Sequence, residues 1–397
     1  MPAYRIPLEV AVPVARGGEL ASRVHYTSEA IETFELITDQ DQIIGLDVTT
    51  VGDADQAELS RKINLITRRE VAPQRLSAGE VVWTSPHPDR TTPDTYERLE
   101  AAGTVQDMGP GLVALGETMT GVLQAVDRRV RAVAMGFGAV EYRYPTLVST
   151  RSLHTGGYLG AFPQYLFTAG RLHADTDTYD AFLADLPDHA ATPNGLAAHL
   201  QEHSAHSGYC LPPTMCFHTY HQLRGAPLPE DHAVVTSRGK SFRFESSYAR
   251  SMERLWDFTI REIVFLGDAA TVAQRRQAFL DAVCDLTAEL ALAAHVEVAN
   301  DPFFGSDTTP QQVLAQRLTK TKYELRVPVE PGRTIAAGSF NLHGTTFGGP
   351  FRISLPDGSP AHSACVGIGL ERISYALFCQ HGTDPGRWPA KVREALG

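Results

Sequence analysis

The chain has 397 residues, 43% hydrophobic and 20% charged, a globular mixture that excludes a disordered or fibrous protein. At about 150 residues per domain, that length predicts two or three domains. Thirty-five Lys and Arg against 46 Asp and Glu leave a net charge of −11, which disfavours a protein built to grip a polyanion.

No apolar run reaches the roughly 18 residues of a membrane span, and residues 1–10, MPAYRIPLEV, carry no export pattern. Five cysteines, an odd number, do not read as a secreted disulfide framework and point to a reducing cytoplasm.

Residues 4–14 alternate apolar and polar with the period of a half-buried strand, and Pro7 and Pro13 restrict it to an edge. A polar amphipathic stretch runs to about Asp39. A strand is predicted over 43–51 and a helix over 54–67, completing a small N-terminal α/β unit. Residues 86–111, rich in Pro, Asp, Thr and Gly, read as a linker, so the chain divides into 1–110 (accessory domain) and 111–397. A helix is predicted over 112–135, where Leu115, Met119, Val122, Leu123, Val126, Val130 and Val133 keep three-and-four spacing. A strand at 139–144 follows. Beyond it, strands and helices mix without regular βαβ alternation, which predicts an α+β domain with an antiparallel sheet and helices against it.

Three constellations carry chemistry. In Ser241-Phe-Arg243-Phe-Glu245, alternation puts Arg243 and Glu245 on one strand face, a fork for anions beside an acceptor for N–H donors. A surface ion pair fits the same pattern. The stretch from Arg254 through Phe258 to Glu262 completes a predicted hairpin, with these three residues sharing one face by their even spacing. In Cys365-Val-Gly367-Ile-Gly369-Leu-Glu371-Arg372, a strand ending in glycines opens into a helix, bringing backbone close to a ligand and aiming Arg372 at phosphate. The third glycine and the βαβ setting of a dinucleotide site are missing, and no P-loop sequence occurs. Finally, Cys216 lies near His218 and His221 without a Cys-x-x-Cys or His-Glu-x-x-His pattern, so the local sequence by itself reads Cys216 as a small buried hydrophobe more than as a ligand.

In this order the pieces resemble the three motifs of class II aminoacyl-tRNA synthetases. Residues 125–145 are similar to motif one, Arg243-x-Glu245 with Arg254-x-x-x-Phe258 to motif two, and Gly367 to Arg372 to motif three. More narrowly, the chain resembles the amino acid:[carrier protein] ligases, truncated relatives of the zinc-containing archaeal seryl-tRNA synthetases. The phrases Cys216-Phe-His-Thr-Tyr, Arg254-Leu-Trp-Asp-Phe-Thr-Ile-Arg-Glu262, Asn300-Asp-Pro-Phe-Phe304 and Ser363-Ala-Cys365 through Arg372 carry that match.

The resemblance implies a class II antiparallel sheet flanked by helices, with zinc held by Cys216, Glu262 and Cys365. Two thiolates and a carboxylate suit zinc, and three protein ligands leave a fourth position for a substrate amine. It further implies ATP-dependent activation of a small amino acid such as glycine or alanine, followed by transfer to the phosphopantetheine thiol of a carrier protein. Arg243 would hold the α-phosphate and substrate carboxylate, Glu245 the adenine amino group, Phe258 the adenine ring, and Arg254 and Arg372 the β- and γ-phosphates. Glu324 and Asn341 are the candidates to serve the accompanying magnesium, although a solvated carboxylate and a turn asparagine fit the same sequence. Motif one implies a homodimer.

No heptad arm occurs in residues 1–110, which with the acidic charge argues against tRNA charging. Arg275-Arg276, in a helix predicted over 271–286, and residues 317–322 around Lys320 are candidate basic surfaces for an acidic carrier, and both also read as solvated helix faces. The alternatives are an aminoacyl-tRNA synthetase, a ligase to a small-molecule amine, or a synthetase-like sensor without catalysis.

Overall fold

The computed structural model describes residues 1–74, 79–190, 192–245, 251–303 and 308–397. Residues 246–250 of the expected motif-two loop, and Phe304, lie outside them.

The N-terminal unit is formed by β1 (Ala3–Pro13), α1 (Gly17–Val24), β2 (Ile31–Asp39), β3 (Gln42–Thr50) and α2 (Gln56–Ile66). Its sheet has the order β1-β3-β2 and is antiparallel throughout. The alternation in 4–14 buries Ile6 and Val12 against Leu20, Leu46, Val48, Ile63 and Val71, a core separate from the rest of the molecule. Asp55 starts α2 by accepting from the backbone N–H groups of Ala57 and Glu58.

The segment expected as a linker is structured instead. It contains α3 (Thr95–Ala101) and β5 (Val105–Gly109); β4 (Val81–Thr84) lies just before it, and β6 (Leu112–Leu115) follows and precedes α4 (Glu117–Gly136). Its Pro and Gly residues punctuate short elements, while the isolated apolar residues Leu99 and Val105 are fully buried in the large core. β4 pairs with the large sheet, so residues 81–115 pack with the part expected to begin at 111. The helix expected from 112 starts five residues later, because 112–115 is spent on the β5–β6 hairpin.

Apart from short helices at Thr150–Thr155, Tyr158–Ala161, Gly348–Phe351 and Ala390–Leu396, the further helices and strands are β7 (Val140–Tyr142), β8 (Val148–Ser149), β9 (Thr168–Leu172), α5 (Thr176–His189), α6 (Pro193–Glu202), β10 (Ser204–Cys210), α7 (Cys216–Leu223), β11 (Ala233–Phe242), β12 (Asp257–Gly267), α8 (Ala269–Glu289), β13 (His295–Val298), α9 (Thr309–Leu318), β14 (Lys322–Glu330), β15 (Arg333–Gly344), β16 (His362–Gly369) and α10 (Leu370–His381). An eight-stranded sheet runs β4-β13-β14-β15-β16-β12-β11-β7. All its pairings are antiparallel except β7 with β11. Helices α4, α8 and α10 bury one face of it through Val126, Val130, Phe279, Val283, Tyr375 and Phe378. This is the α+β arrangement expected. No described helix is long and apolar enough to cross a membrane.

The two faces of β12 do different work, as period-two alternation requires. Ile263 and Phe265 join the helix-covered core, and Arg261 on the same side reaches Asp127 of α4 at 2.8 and 3.0 Å and Glu141 at 2.6 Å. A guanidinium this deeply buried depends on its anions. Asp127→Ala is expected to cost stability near the lower end of roughly 3–5 kcal/mol, since Glu141 remains. Urea unfolding against the unmodified chain measures this, and a loss within 0.5 kcal/mol, about that of a surface change, would rule it out.

Candidate active site and metal centre

The uncovered face of the sheet forms a cleft of about 580 Å³. Alternate residues of four neighbouring strands build its floor: Phe258, Ile260 and Glu262 of β12, Cys365, Gly367 and Gly369 of β16, Ser339, Asn341 and His343 of β15, and Lys322 and Glu324 of β14. Register sets two rows across it. Lys322, Asn341 and Cys365 are successive partners, and so are Glu324, Ser339, Gly367 and Glu262. Gly367 opens the second row: a Cβ there would lie 2.8 Å from Ile260 Cδ1. The glycine pattern in the sequence thus marks where the sheet must stay bare for a ligand.

At one end, Cys216, Glu262 and Cys365 converge although they are far apart in sequence. One ligand atom of each lies within 4.8 Å of the other two, and all three residues are buried. Cys216 opens α7, and Glu262 sits against that helix start. Its Oε2 accepts from Thr214 Oγ1 at 2.6 Å, Met215 N at 2.7 Å and Cys216 N at 2.9 Å. The helix N-terminus favours the carboxylate, and Oε1 remains to ligate. Burial, then the Cys365 thiolate, pushes the Glu262 carboxyl up to about 8. Cys365 moves the other way, held well below the usual thiol range by donation from Cys216 and then by His343. Two sulfurs and a carboxylate oxygen crowded out of water form a set whose charges a divalent cation would relieve, and the donors match zinc's preference. A second donor group among the described residues, His199 and Glu202 at the end of α6 with His203 just after it, leaves Glu202 exposed and lacks sulfur.

Arginines gather at the other end. Arg243 and Arg372 line the cleft. Burial first, and Arg254 second, push the Arg372 guanidinium down to about 10, the mark of a cation short of counter-charge. Its Nη1 donates to Ala336 O at 2.8 Å. The Arg243 guanidinium stands over the Phe258 ring, 5.4 Å from its centroid, and its Nε donates to Pro213 O.

The route to this geometry differs from the sequence expectation. β11 ends at Phe242, so Arg243 and Glu245 lie in a turn beyond the strand, closed by Glu245 N donating to Arg243 O at 2.7 Å. Arg254 likewise precedes β12 and binds Glu245 Oε2 at 3.1 Å. Glu245 and Arg254 are not in the cleft wall among the described residues.

Of the magnesium candidates, Glu324 stands between Lys322 at 3.3 Å and Arg326 at 3.5 Å, while the Asn341 amide nitrogen faces Cys365 Sγ at 3.7 Å. Of the candidate basic surfaces, Arg276 and Lys322 are buried, while Arg275, Arg317 and Lys320 keep solvent exposure. Arg276 is buried over the Tyr323 ring, because its position on α8 faces the sheet, and Arg275 binds His232 and Phe137 O. Arg317 binds Asn300, Lys320 pairs with Glu80, and Lys322 is buried on Asp301.

Sequence reasoning missed Thr214, Asp301, Lys322 and His343. Lys322 and His343 stand two residues from Glu324 and Asn341, so strand alternation carried their signal.

No protein-family model matches the chain. It is 31% identical over 263 residues to amino acid–[acyl-carrier-protein] ligase 1 of Bradyrhizobium diazoefficiens, covering 66% of this chain and 77% of the relative. It is 24% identical to the type-2 serine–tRNA ligase of Methanopyrus kandleri, covering 81% and 64% respectively. In fold it resembles the M. kandleri seryl-tRNA synthetase solved in complex with a tRNASec, with a TM-score of 0.71 and 22% identity over 91% of this chain and 73% of the other. Residues 79–397 alone could not supply that share, so the likeness in fold extends into the N-terminal unit.

Proposed function

The chain belongs to the amino acid–[acyl-carrier-protein] ligase family and is a ligase, and from that premise we propose that it activates a small amino acid with ATP and passes it to the phosphopantetheine thiol of a carrier protein. The observation that carries this reading is one cleft with a buried Cys216–Glu262–Cys365 donor set at one end and Arg243 and Arg372 at the other.

In the first step a substrate carboxylate oxygen attacks the α-phosphorus of ATP, the bond to the bridging oxygen breaks, and pyrophosphate leaves. Arg243 holds the α-phosphate and the carboxylate together, and Phe258 offers its ring to adenine once the guanidinium moves to the phosphate. Arg372, with Arg254, neutralises the leaving pyrophosphate, a task in which preorganised charge counts most. Glu245, ion-paired to Arg254, positions that arginine and accepts from the adenine amino group. Magnesium accompanies the ATP, and Glu324 is the cleft carboxylate available to it. A zinc ion on Cys216, Glu262 and Cys365 would supply a Lewis-acid position that selects an unprotonated amine. In the second step the carrier thiol sulfur attacks the acyl carbonyl, AMP departs, and the thiol proton passes to solvent.

Exposed Val140 and Tyr142 on the edge strand β7, with Leu147, support a homodimer through that edge. Five free, buried cysteines fit a reducing cytoplasm.

Amino acid-dependent ATP–pyrophosphate exchange, with zinc measured on the same sample, tests the reading. The expected result is exchange with one small amino acid and one zinc per chain. Absence of exchange with every standard amino acid would overturn it. Offering the activated residue to a carrier protein and to tRNA then decides the acceptor, a comparison made pertinent by the fold likeness to a tRNA-bound synthetase.

A further inference from the structure

Cys365 differs from Cys216 in what surrounds its sulfur. His343 Nε2 lies 3.1 Å from Cys365 Sγ, and Asn341 Nδ2 lies 3.7 Å from the same atom. Both come from β15, two residues apart on one face, and Asn341 is the register partner of Cys365. Around Cys216 Sγ the neighbouring side-chain oxygen is Thr214 Oγ1, at 3.9 Å. Cys365 Sγ is therefore faced by two side-chain nitrogens from the adjacent strand, and Cys216 Sγ is not.

His343 is not among the atoms that lie mutually within 4.8 Å, so it stands beside the donor set and not in it. A cysteine sulfur that ligates a metal carries no proton, so in the loaded site a ring nitrogen at this distance must bear the proton and donate. The amide of Asn341 is oriented the same way, at the cost of a buried Oδ1 without a hydrogen-bond partner. An orphaned carbonyl oxygen costs about 1–3 kcal/mol, and turning the amide would bring that oxygen against sulfur.

We propose that His343 and Asn341 are positioning residues, a pair of N–H donors to Cys365 that withdraw charge from its sulfur and so tune a metal bound at Cys216, Glu262 and Cys365. The inference rests on the zinc reading above. It removes Asn341 from the magnesium candidates and assigns it to the amine-binding end. Withdrawing charge from one sulfur leaves the metal more electrophilic, which favours holding a neutral amine at the open position. Outer partners of this kind typically change metal affinity by about 10–100-fold.

The test uses the full-length chain, stripped of metal and reloaded with cobalt(II). His343→Ala is expected to bind one cobalt per chain with its sulfur-to-cobalt charge-transfer band moved to lower energy, because the thiolate lone pair is no longer stabilised. Its zinc dissociation constant should rise by about 10–100-fold. His343→Gln, which keeps an N–H donor, should return most of both effects, and Asn341→Ser should shift the band the same way by less. An unchanged band and affinity in His343→Ala would overturn the proposal. So would loss of all bound cobalt by a variant whose circular dichroism matches the metal-free parent, since that makes His343 a ligand. If His343→Ala does not fold, Asn341→Ser and His343→Gln decide by the same criteria. A parent chain with no thiolate–cobalt band would instead sink the zinc reading itself, a separate outcome.

Discussion

Cys365→Ser is expected to reduce bound zinc from one per chain to near zero and to lower amino acid-dependent exchange by about three orders of magnitude, corresponding to several kcal/mol. The argument is geometric. Cys365 lies between Asn341 and Val264 in the sheet, with Glu262 diagonally across and Cys216 brought over by the start of α7. Serine fits the space, so the sheet register and core should survive, but a hydroxyl is a poor ligand beside a thiolate. Binding of ATP alone should change little, because Arg243, Phe258 and Arg372 are untouched. Metal analysis and exchange, with ATP binding by calorimetry as the control, check the result. A variant that keeps stoichiometric zinc and full exchange would remove Cys365 from the site.

Arg372→Ala should act on the opposite end, lowering kcat/KM for ATP in the exchange assay by about 10²–10³-fold, or roughly 2.7–4 kcal/mol. Zinc content should stay at one per chain. The guanidinium is tethered to Ala336 O and depressed by its buried, arginine-rich surroundings, so an incoming phosphate gains a cation whose desolvation is already complete. Arg372→Lys is expected to recover only part of the loss, since an ammonium lacks the planar fork. Equal kcat/KM in the alanine variant would assign Arg372 a structural role at β15. The paired results separate the two ends of the cleft: the cysteine change moves metal and amino acid dependence, the arginine change moves ATP dependence.

Some strands were legible in the sequence, as the course of β1, β3 and β12 attests, whereas β2 lies in the stretch read only as polar and amphipathic and β5 in the expected linker. The motif-three glycines also read correctly, because a bare strand running into a helix is a local pattern. Where the reading failed, local signals competed with tertiary ones. Residues 86–111 carry linker composition, yet Leu99 and Val105 are buried in the large core with residues as distant as Val392 and Leu396, partners that no window of sequence contains. Arg243 and Glu245 alternate like strand residues, but β11 stops before them, where Arg243 N donates to Trp256 O and the turn begins.

The sequence by itself determined the class of fold, the acidic balance and part of the cleft lining, Cys216, Arg243, Phe258, Glu262, Cys365 and Arg372 among it, since periodicity and residue chemistry act over a few neighbours. Only the tertiary structure decided what those residues meet. Register placed Asn341 opposite Cys365 and set His343 Nε2 3.1 Å from its sulfur. Packing withdrew Arg276 and Lys322 from solvent and ended their standing as docking charges. The physical reason is the same in both cases. A side chain's charge, ligation and hydrogen bonding depend on atoms brought to within a few ångströms by strands far apart in the chain, and strand order and register are collective outcomes of burying the whole core.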